Sequence, residues 1–291
     1  MHTREDASLR LPPWLKRPLP KERRFFQTRS VVNGLALSTV CKEARCPNMH
    51  ECFSAGTATF MILGDRCTRR CPFCNITSGC PAPPDPNEVR RVARAAVELG
   101  LKHVVLTSVT RDDLHDGGAG HFAAVVEAVR RELPDSGIEV LIPDFQGSRS
   151  ALEKVMQTRP HIINHNVETH PLLYSRIRPQ ANYGQSIELL RRVHAKGITT
   201  KSGFMVGLGE KDEDVRELLR ELRHAGCDVV TIGQYMRPSK AHMPVRRYVP
   251  LDMFAQYAIW AKEEGITHVV SSPLARSSYH AREALSQVLS L

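Results

Sequence analysis

From residue 57 onward, short apolar runs alternate with longer stretches that are apolar at every third or fourth position. Residues 57–63 read as a buried strand. Asp85-Pro86 reads as a helix start, with Asp as the cap and Pro in the first turn. Val89, Val92, Ala93 and Ala96 follow on one helical face, and Gly100 ends the helix. Further strands are predicted over 103–107, 138–142, 161–165, 199–206, 227–232 and 267–271. Between them lie helical patterns marked by Phe122, Val125, Val126 and Val129, by Leu152, Val155 and Met156, and by Ile187, Leu190 and Val193. Two more are marked by Val215, Leu218, Leu219 and Leu222, and by Leu251, Phe254, Ala255, Ala258 and Ala261.

Such alternation predicts an α/β fold with parallel strands and right-handed crossovers. Six or seven units are too few for a closed eightfold barrel and suit either a partial barrel or a doubly wound sheet. In a barrel, reactive groups gather on loops past the strands' C-terminal ends. The polar residues expected to face that cavity are Thr107, the 110–113 run, Asp144, His165, Asn166, Glu168, His170, Lys201 and Ser202 on the fifth strand, Gly207-Leu208-Gly209-Glu210 at its end, and the 234–239 run. His161 and His165 read as packing residues and Cys227 as a buried structural thiol.

Composition keeps the chain in the globular class, at 42% hydrophobic and 24% charged. No apolar run approaches a membrane span or a signal-peptide core, so the expectation is a cytoplasmic protein without a membrane partner. Net charge is +9. Eight Lys/Arg against three acidic residues in the first thirty positions supply an excess of five. Pro12, Pro13, Pro18 and Pro20 exclude a single amphipathic helix there. A solvated, partly extended arm is expected, anchored by Trp14 and Leu15 and suited to an acidic partner, protein or nucleic acid.

Eight cysteines in a reducing compartment read as ligands more than as disulfides. Cys67, Cys71 and Cys74 follow the first strand at C-x₃-C-x₂-C spacing. Three thiolates on one point leave a coordination position open, whereas structural zinc closes its site with four protein ligands. Iron–sulfur clusters are also held by thiolates, so a cluster is favoured. Zinc stays open, with Cys80 or a distant His as fourth ligand. Cys41, Cys46 and Cys52 form a second triple, for which a zinc reading would add His50.

The first triple, with Phe73 just before its third cysteine, resembles the cluster loop of radical S-adenosylmethionine enzymes. In that superfamily the open iron of a 4Fe–4S cluster binds S-adenosylmethionine and cleaves it to a 5′-deoxyadenosyl radical. The second triple, together with Arg276-Ser277-Ser278-Tyr279, is similar to the lipoyl synthase family within that superfamily. So are Arg111-Asp112-Asp113, Ile142-Pro143-Asp144-Phe145, His165-Asn166-Val167-Glu168-Thr169 and Gln234-Tyr235. The resemblance covers about residues 35 to 285. It implies a partial (β/α)6 TIM-type barrel over 57–265. An N-terminal extension, 1–56, would carry the basic arm and the second triple, and a C-terminal extension, 266–291, the Arg-Ser-Ser-Tyr run. It further implies two 4Fe–4S clusters: one on Cys67, Cys71 and Cys74, and an auxiliary one on Cys41, Cys46, Cys52 and Ser278, with Ser277 as the second choice.

The implied reaction inserts sulfur at carbons six and eight of a protein-bound octanoyl-lysine, with the auxiliary cluster as sulfur donor. Phe73, Asp144, Asn166, Glu168 and Lys201 are the candidate S-adenosylmethionine contacts, and no acid or base is assigned. Implied partners are octanoylated carrier domains of 2-oxoacid dehydrogenase acyltransferase subunits and the glycine cleavage carrier protein. An electron donor such as flavodoxin or ferredoxin, and an iron–sulfur carrier that rebuilds the auxiliary cluster, complete the set, with no nucleic acid. Two other readings remain. A methylthiolating radical enzyme acting on tRNA is one, and the Arg-Ser-Ser-Tyr run argues against it. A zinc-based nucleic-acid-binding protein is the other, and it leaves the β/α body unexplained.

Overall fold

A computed structural model describes residues 10–16, 22–279 and 281. Lys21 and residues 282–291 lie outside the described residues. After a single turn at Pro13–Leu15, the chain forms α1 (Arg23–Gly34), β1 (Ser38–Thr39), α2 (Val40–Glu43) and α3 (Met49–Ser54). Then come β2 (Thr59–Ile62), β3 (Arg66–Cys67), β4 (Thr77–Ser78), α4 (Glu88–Glu98), β5 (His103–Ser108), α5 (Ala119–Glu132) and β6 (Gly137–Leu141). Next are α6 (Arg149–Gln157), β7 (Ile162–Asn164), α7 (Pro171–Ile177), α8 (Tyr183–His194) and β8 (Thr199–Val206). The series ends with α9 (Asp212–His224), β9 (Val229–Gln234), α10 (Leu251–Glu263) and β10 (His268–Ser271).

The main sheet runs β1-β2-β5-β6-β7-β8-β9-β10. Only β1 pairs antiparallel; every other neighbour is parallel. The parallel strands keep chain order across the sheet. A doubly wound sheet reverses its order at a switch point, so this is barrel winding, left open between β1 and β10. The sheet continues through β10 beyond residue 265.

Register separates two faces. Val104, Leu106, Ile138, Val140 and Ile163 are fully buried in the layer between sheet and helices. Their alternates, Thr59, His103, Thr107, Glu139, Asn164 and Lys201, are buried and polar, and they face the lumen. Alternating strands in a parallel fold mark a lumen built for polar work, since parallel strands covered on both faces usually read as continuous apolar runs.

Three local expectations change. The first barrel helix begins at Glu88, not at Asp85-Pro86. Asp85 instead closes a turn, accepting the Asn87 N–H at 2.9 Å and pairing with Arg91. The basic arm becomes helical from Arg23, because Phe25, Thr28 and Val32 bury one flank against α3 and its surroundings. Leu15 anchors the arm, but Trp14 is 42% exposed and does not. Helix α7 was not anticipated at all. No described helix is long and apolar enough to cross a membrane.

Candidate functional site

The first triple occupies a loop at the C-terminal end of β2. Left-handed Leu63 and Gly64 turn the chain out of the strand. The Leu63 N–H is met by the buried Glu88 carboxylate at 2.8 Å, and its carbonyl accepts from Arg111. The loop is closed by Gly79, whose N–H donates to the Cys67 carbonyl at 3.0 Å. Arg69, 5% exposed, is its internal post. Its guanidinium holds both carboxylate oxygens of Asp144, at 2.6 and 2.7 Å, and both of Asp112, at 2.6 and 2.9 Å. Neighbouring loops add bonds from Thr68 to Thr110, Met243 N–H to the Pro72 carbonyl, and His242 to the Cys74 carbonyl. Phe73 packs beside the cluster of Ile177, Leu208, Tyr235 and Met243.

Burial, with Cys67 adding and Arg178 opposing, pushes the Cys71 thiol up to about 11. Burial, then Cys71 and Cys67, pushes Cys74 up to about 12. Crowded thiols like these do not ionise unaided; a bound cationic centre supplies the missing charge. A donor set of three thiolates fits an iron–sulfur cluster.

The second triple is built on short helices. Cys41, 5% exposed, lies in α2, Cys52 in α3, and Cys46 between them. Thr39 caps α2, and the Cys46 N–H returns to the Cys41 carbonyl at 3.0 Å. Burial, and then Cys46, pushes Cys41 up to about 11. Burial, Cys41 and Cys46 push Cys52 up to about 12. A cavity of about 620 Å³ borders this triple. Its lining includes Cys41, Cys52, Ser278, His103, Leu101 and Val105. Thr59 and His103 in that lining open β2 and β5, so the cavity lies at the opposite strand ends from the first triple.

The Arg-Ser-Ser-Tyr run passes between the two. Asn166 donates to Ser277 Oγ at 2.7 Å and to Glu168 at 3.1 Å. Burial raises Glu168 above the usual carboxylate range, and its charge acts on both Cys71 and Cys74. Arg276 is lowered by burial, offset by Cys46 on one side and Glu168 on the other. Ser278, by contrast, lines the cavity with Cys41 and Cys52. Gly233 admits the run: any Cβ there would collide with the Ala275 carbonyl.

Asp144 and Lys201 are already engaged. Asp144 is held by Arg69. Lys201, 1% exposed, donates to Glu139 at 2.9 Å and to the Ser277 carbonyl at 2.6 Å. Sequence reasoning missed Arg69, Glu139 and Arg178, and it gave Arg276 no role of its own. Glu139 alone carried a signal, as a charge in an apolar strand. His161 and His165 do pack against protein: His161 Nδ1 accepts the Ile138 N–H, and His165 lies between the Ile142 carbonyl and Ser186. Burial pushes the His165 imidazole down to about 4, so it stays neutral. Gly207-Leu208-Gly209-Glu210 is a turn closed by its own acid, with Glu210 accepting all three preceding N–H groups. Cys227 is fully buried and Cys80 exposed.

Fold neighbours agree with the open barrel. Streptococcus suis SuiB bound to S-adenosylmethionine aligns over 77% of this chain and 54% of its own, with TM-score 0.59 and 11% identity. Methylornithine synthase aligns over 87% and 83%, with TM-score 0.55 and 15% identity. The Radical SAM superfamily profile matches residues 61–222, and that of the N-terminal domain of lipoyl synthase matches residues 1–46. The lipoyl synthase of Nitratidesulfovibrio vulgaris strain Hildenborough is 60% identical, covering 98% of this chain and 96% of the relative. That of Oleidesulfovibrio alaskensis is 58% identical over 97% of each. With two cysteine triples on one open barrel and these matches along nearly its whole length, the chain belongs to the lipoyl synthase family of radical S-adenosylmethionine enzymes.

Proposed function

We propose that Cys67, Cys71 and Cys74 hold the 4Fe–4S cluster that meets S-adenosylmethionine. Cys41, Cys46 and Cys52, with Ser278 Oγ as fourth ligand, hold the cluster that yields sulfur. Family membership makes this chain a radical S-adenosylmethionine enzyme of the sulfur-inserting kind, using 4Fe–4S clusters. Bound, those groups supply the radical and the sulfur atoms.

The chain's own residues hold, orient and screen. Arg69, fixed by Asp112 and Asp144, sets the first loop. Asn166 and Glu168 present a half-buried amide and carboxylate for the polar groups of S-adenosylmethionine, and Phe73 is the aromatic residue of the cysteine loop offered to the same cofactor. Lys201 steers the Arg-Ser-Ser-Tyr backbone through the Ser277 carbonyl, and so acts as a positioning residue. The carbons attacked, six and eight of an octanoyl chain, carry no acidic protons, so no side chain is needed as general base. One observation carries the reading. Ser277 is bonded to Asn166, on the Glu168 side of the lumen, while its neighbour Ser278 faces the cavity of the second triple.

The substrate is an octanoyl-lysine on an acidic carrier domain, of the acyltransferase or glycine cleavage type. Helix α1 exposes Arg23, Arg24 and Arg29 around Phe26, itself 55% exposed, and this supports docking of such a domain. Glu at Lys21, Arg23 and Arg24 is expected to weaken carrier binding, less so at high salt; unchanged affinity sinks that contact. A flavodoxin- or ferredoxin-type donor and an iron–sulfur carrier serve the two clusters.

The deciding experiment incubates anaerobically prepared protein with S-adenosylmethionine, a reductant and an octanoyl-lysine peptide, followed by mass spectrometry. The expected result is two added sulfurs, from brown protein carrying about eight irons for two 4Fe–4S clusters. No sulfur addition with both clusters intact defeats the proposal, and so does colourless protein carrying zinc.

A further inference from the structure

Outside the cysteine loops, one group of ligand-type side chains converges. His170 caps the start of α7, two residues past Glu168. Asp214 and Glu217 stand three apart at the start of α9, on one flank of that helix. Ligand atoms of all three lie within 4.8 Å of one another. His170 is 4% exposed, and among the described residues neither of its ring nitrogens has a hydrogen-bond partner. A buried imidazole left without either bond is costly, because each polar nitrogen has lost water without replacement. Its Nε2 is aimed at the Glu217 carboxylate, 3.6 Å away. That exceeds hydrogen-bond length but leaves space for a bridging ion. Asp214 spends Oδ2 on the Lys211 N–H at 2.8 Å, and among the described residues Oδ1 takes no hydrogen bond. Among the described residues, no Lys or Arg side chain pairs with Asp214 or Glu217, so two carboxylates face one imidazole.

We propose that His170, Asp214 and Glu217 form a mononuclear divalent-metal site, separate from both cysteine triples. One imidazole and two carboxylates form a donor set suited to Zn²⁺, with water completing the shell. Ligand atoms on one zinc are at most about 4.3 Å apart, from metal–ligand distances near 2.0–2.2 Å. The His170 and Glu217 atoms, 3.6 Å apart, already stand within that limit, and exposed Glu217, the outermost of the three, is free to adjust to the ion. The ion ties the loop after β7, which carries Asn166 and Glu168, to the helix that follows β8. Its role is structural: it fixes two rim segments relative to each other. The proposal does not depend on the sulfur-insertion reading.

The test titrates ZnCl₂ into anaerobically prepared protein with both clusters loaded, read by isothermal titration calorimetry with iron content checked before and after. Loaded clusters keep the six ligand cysteines out of the titration, and a Cys80→Ser background removes the exposed thiol. One zinc per chain is expected, with unchanged iron and a raised melting temperature. His170→Gln and Glu217→Gln are each expected to weaken binding at least tenfold. Glu217→Gln alters an exposed side chain, so it tests the site even if His170→Gln folds poorly. Failure of the parent protein to bind zinc, or equal binding in the Glu217→Gln variant, overturns the proposal and leaves His170 and Glu217 as close neighbours without an ion.

Discussion

The two cysteine triples are alike in composition and opposite in construction. Cys67, Cys71 and Cys74 belong to a loop bolted to the barrel by charge. One buried guanidinium grips two carboxylates, and hydrogen bonds arrive from the loops after β5 and β9. Cys41, Cys46 and Cys52 belong to short helices held by packing, including Phe25 against Phe53. The far side of that triple is completed by chain from the other end: Asn48 donates to the Leu274 carbonyl at 2.6 Å, and Tyr279 donates to Glu51 at 2.7 Å. The difference suits a division of labour. A group that must stay in one orientation through every turnover gains from a rigid charged mount. A group that is to be opened and rebuilt gains from a cradle assembled from two separate chain segments.

The sharpest way to break this comparison is to remove one thiol from each triple. Cys71→Ala is expected to abolish S-adenosylmethionine cleavage while about half the iron remains, as one of two 4Fe–4S clusters. Cys52→Ala is expected to keep reductive cleavage and lose sulfur insertion. Loss of both activities in both variants, with folding intact, removes the division. Arg69→Ala comes next: it strands the buried Asp144 carboxylate and is expected to cost about 3–5 kcal/mol, measured by chemical denaturation. A loss below about 1 kcal/mol, the usual worth of a surface pair, means the loop is not held by charge. Lys201→Met strands Glu139 in the lumen and releases the Ser277 carbonyl. It is expected to lower retention of the second cluster more than the first, and Glu139→Gln in the same chain restores part of the loss. Asn48→Ala is expected to cost about 1–3 kcal/mol, because the Leu274 carbonyl loses a buried donor.

Acid produces the smallest change near neutral pH. Burial opposes ionisation of Asp144, but Arg69 holds its carboxyl below the ordinary value of 3.8. Burial likewise opposes Glu139, and Lys201 with His103 holds it below 4.5. Folded-state values that are depressed give stability that is full above the unfolded values and is lost as pH falls below them. Thermal melts are expected to stay flat with respect to these two groups down to about pH 5 and then decline. In Arg69→Met/Asp144→Leu the part of that decline due to Asp144 disappears.

Much of this protein was legible as a string of letters. Helix period, glycine stops and apolar runs marked the parallel strands, because side-chain periodicity follows directly from backbone geometry. Both triples were legible because close spacing in sequence forces closeness in space. The open barrel became definite only when the strands kept chain order across the sheet. Arg69 gave no sign of itself: in sequence it is one of two adjacent arginines, and its partners Asp112 and Asp144 lie 43 and 75 residues away. Asp144 was read as a cofactor contact because it follows a strand end, and Lys201 because it lies on a strand that lines the same pocket. Yet each is held by a buried partner at long range, Asp144 by Arg69 and Lys201 by Glu139. Ser277 and Ser278 are chemically identical neighbours, and only the path of the run through the lumen turns one toward Asn166 and the other toward the second triple. Local spacing thus settled which elements exist and where the thiols gather. Long-range packing, through buried charges that must find partners wherever the chain brings them, settled how those thiols are mounted and which polar residues are already paired.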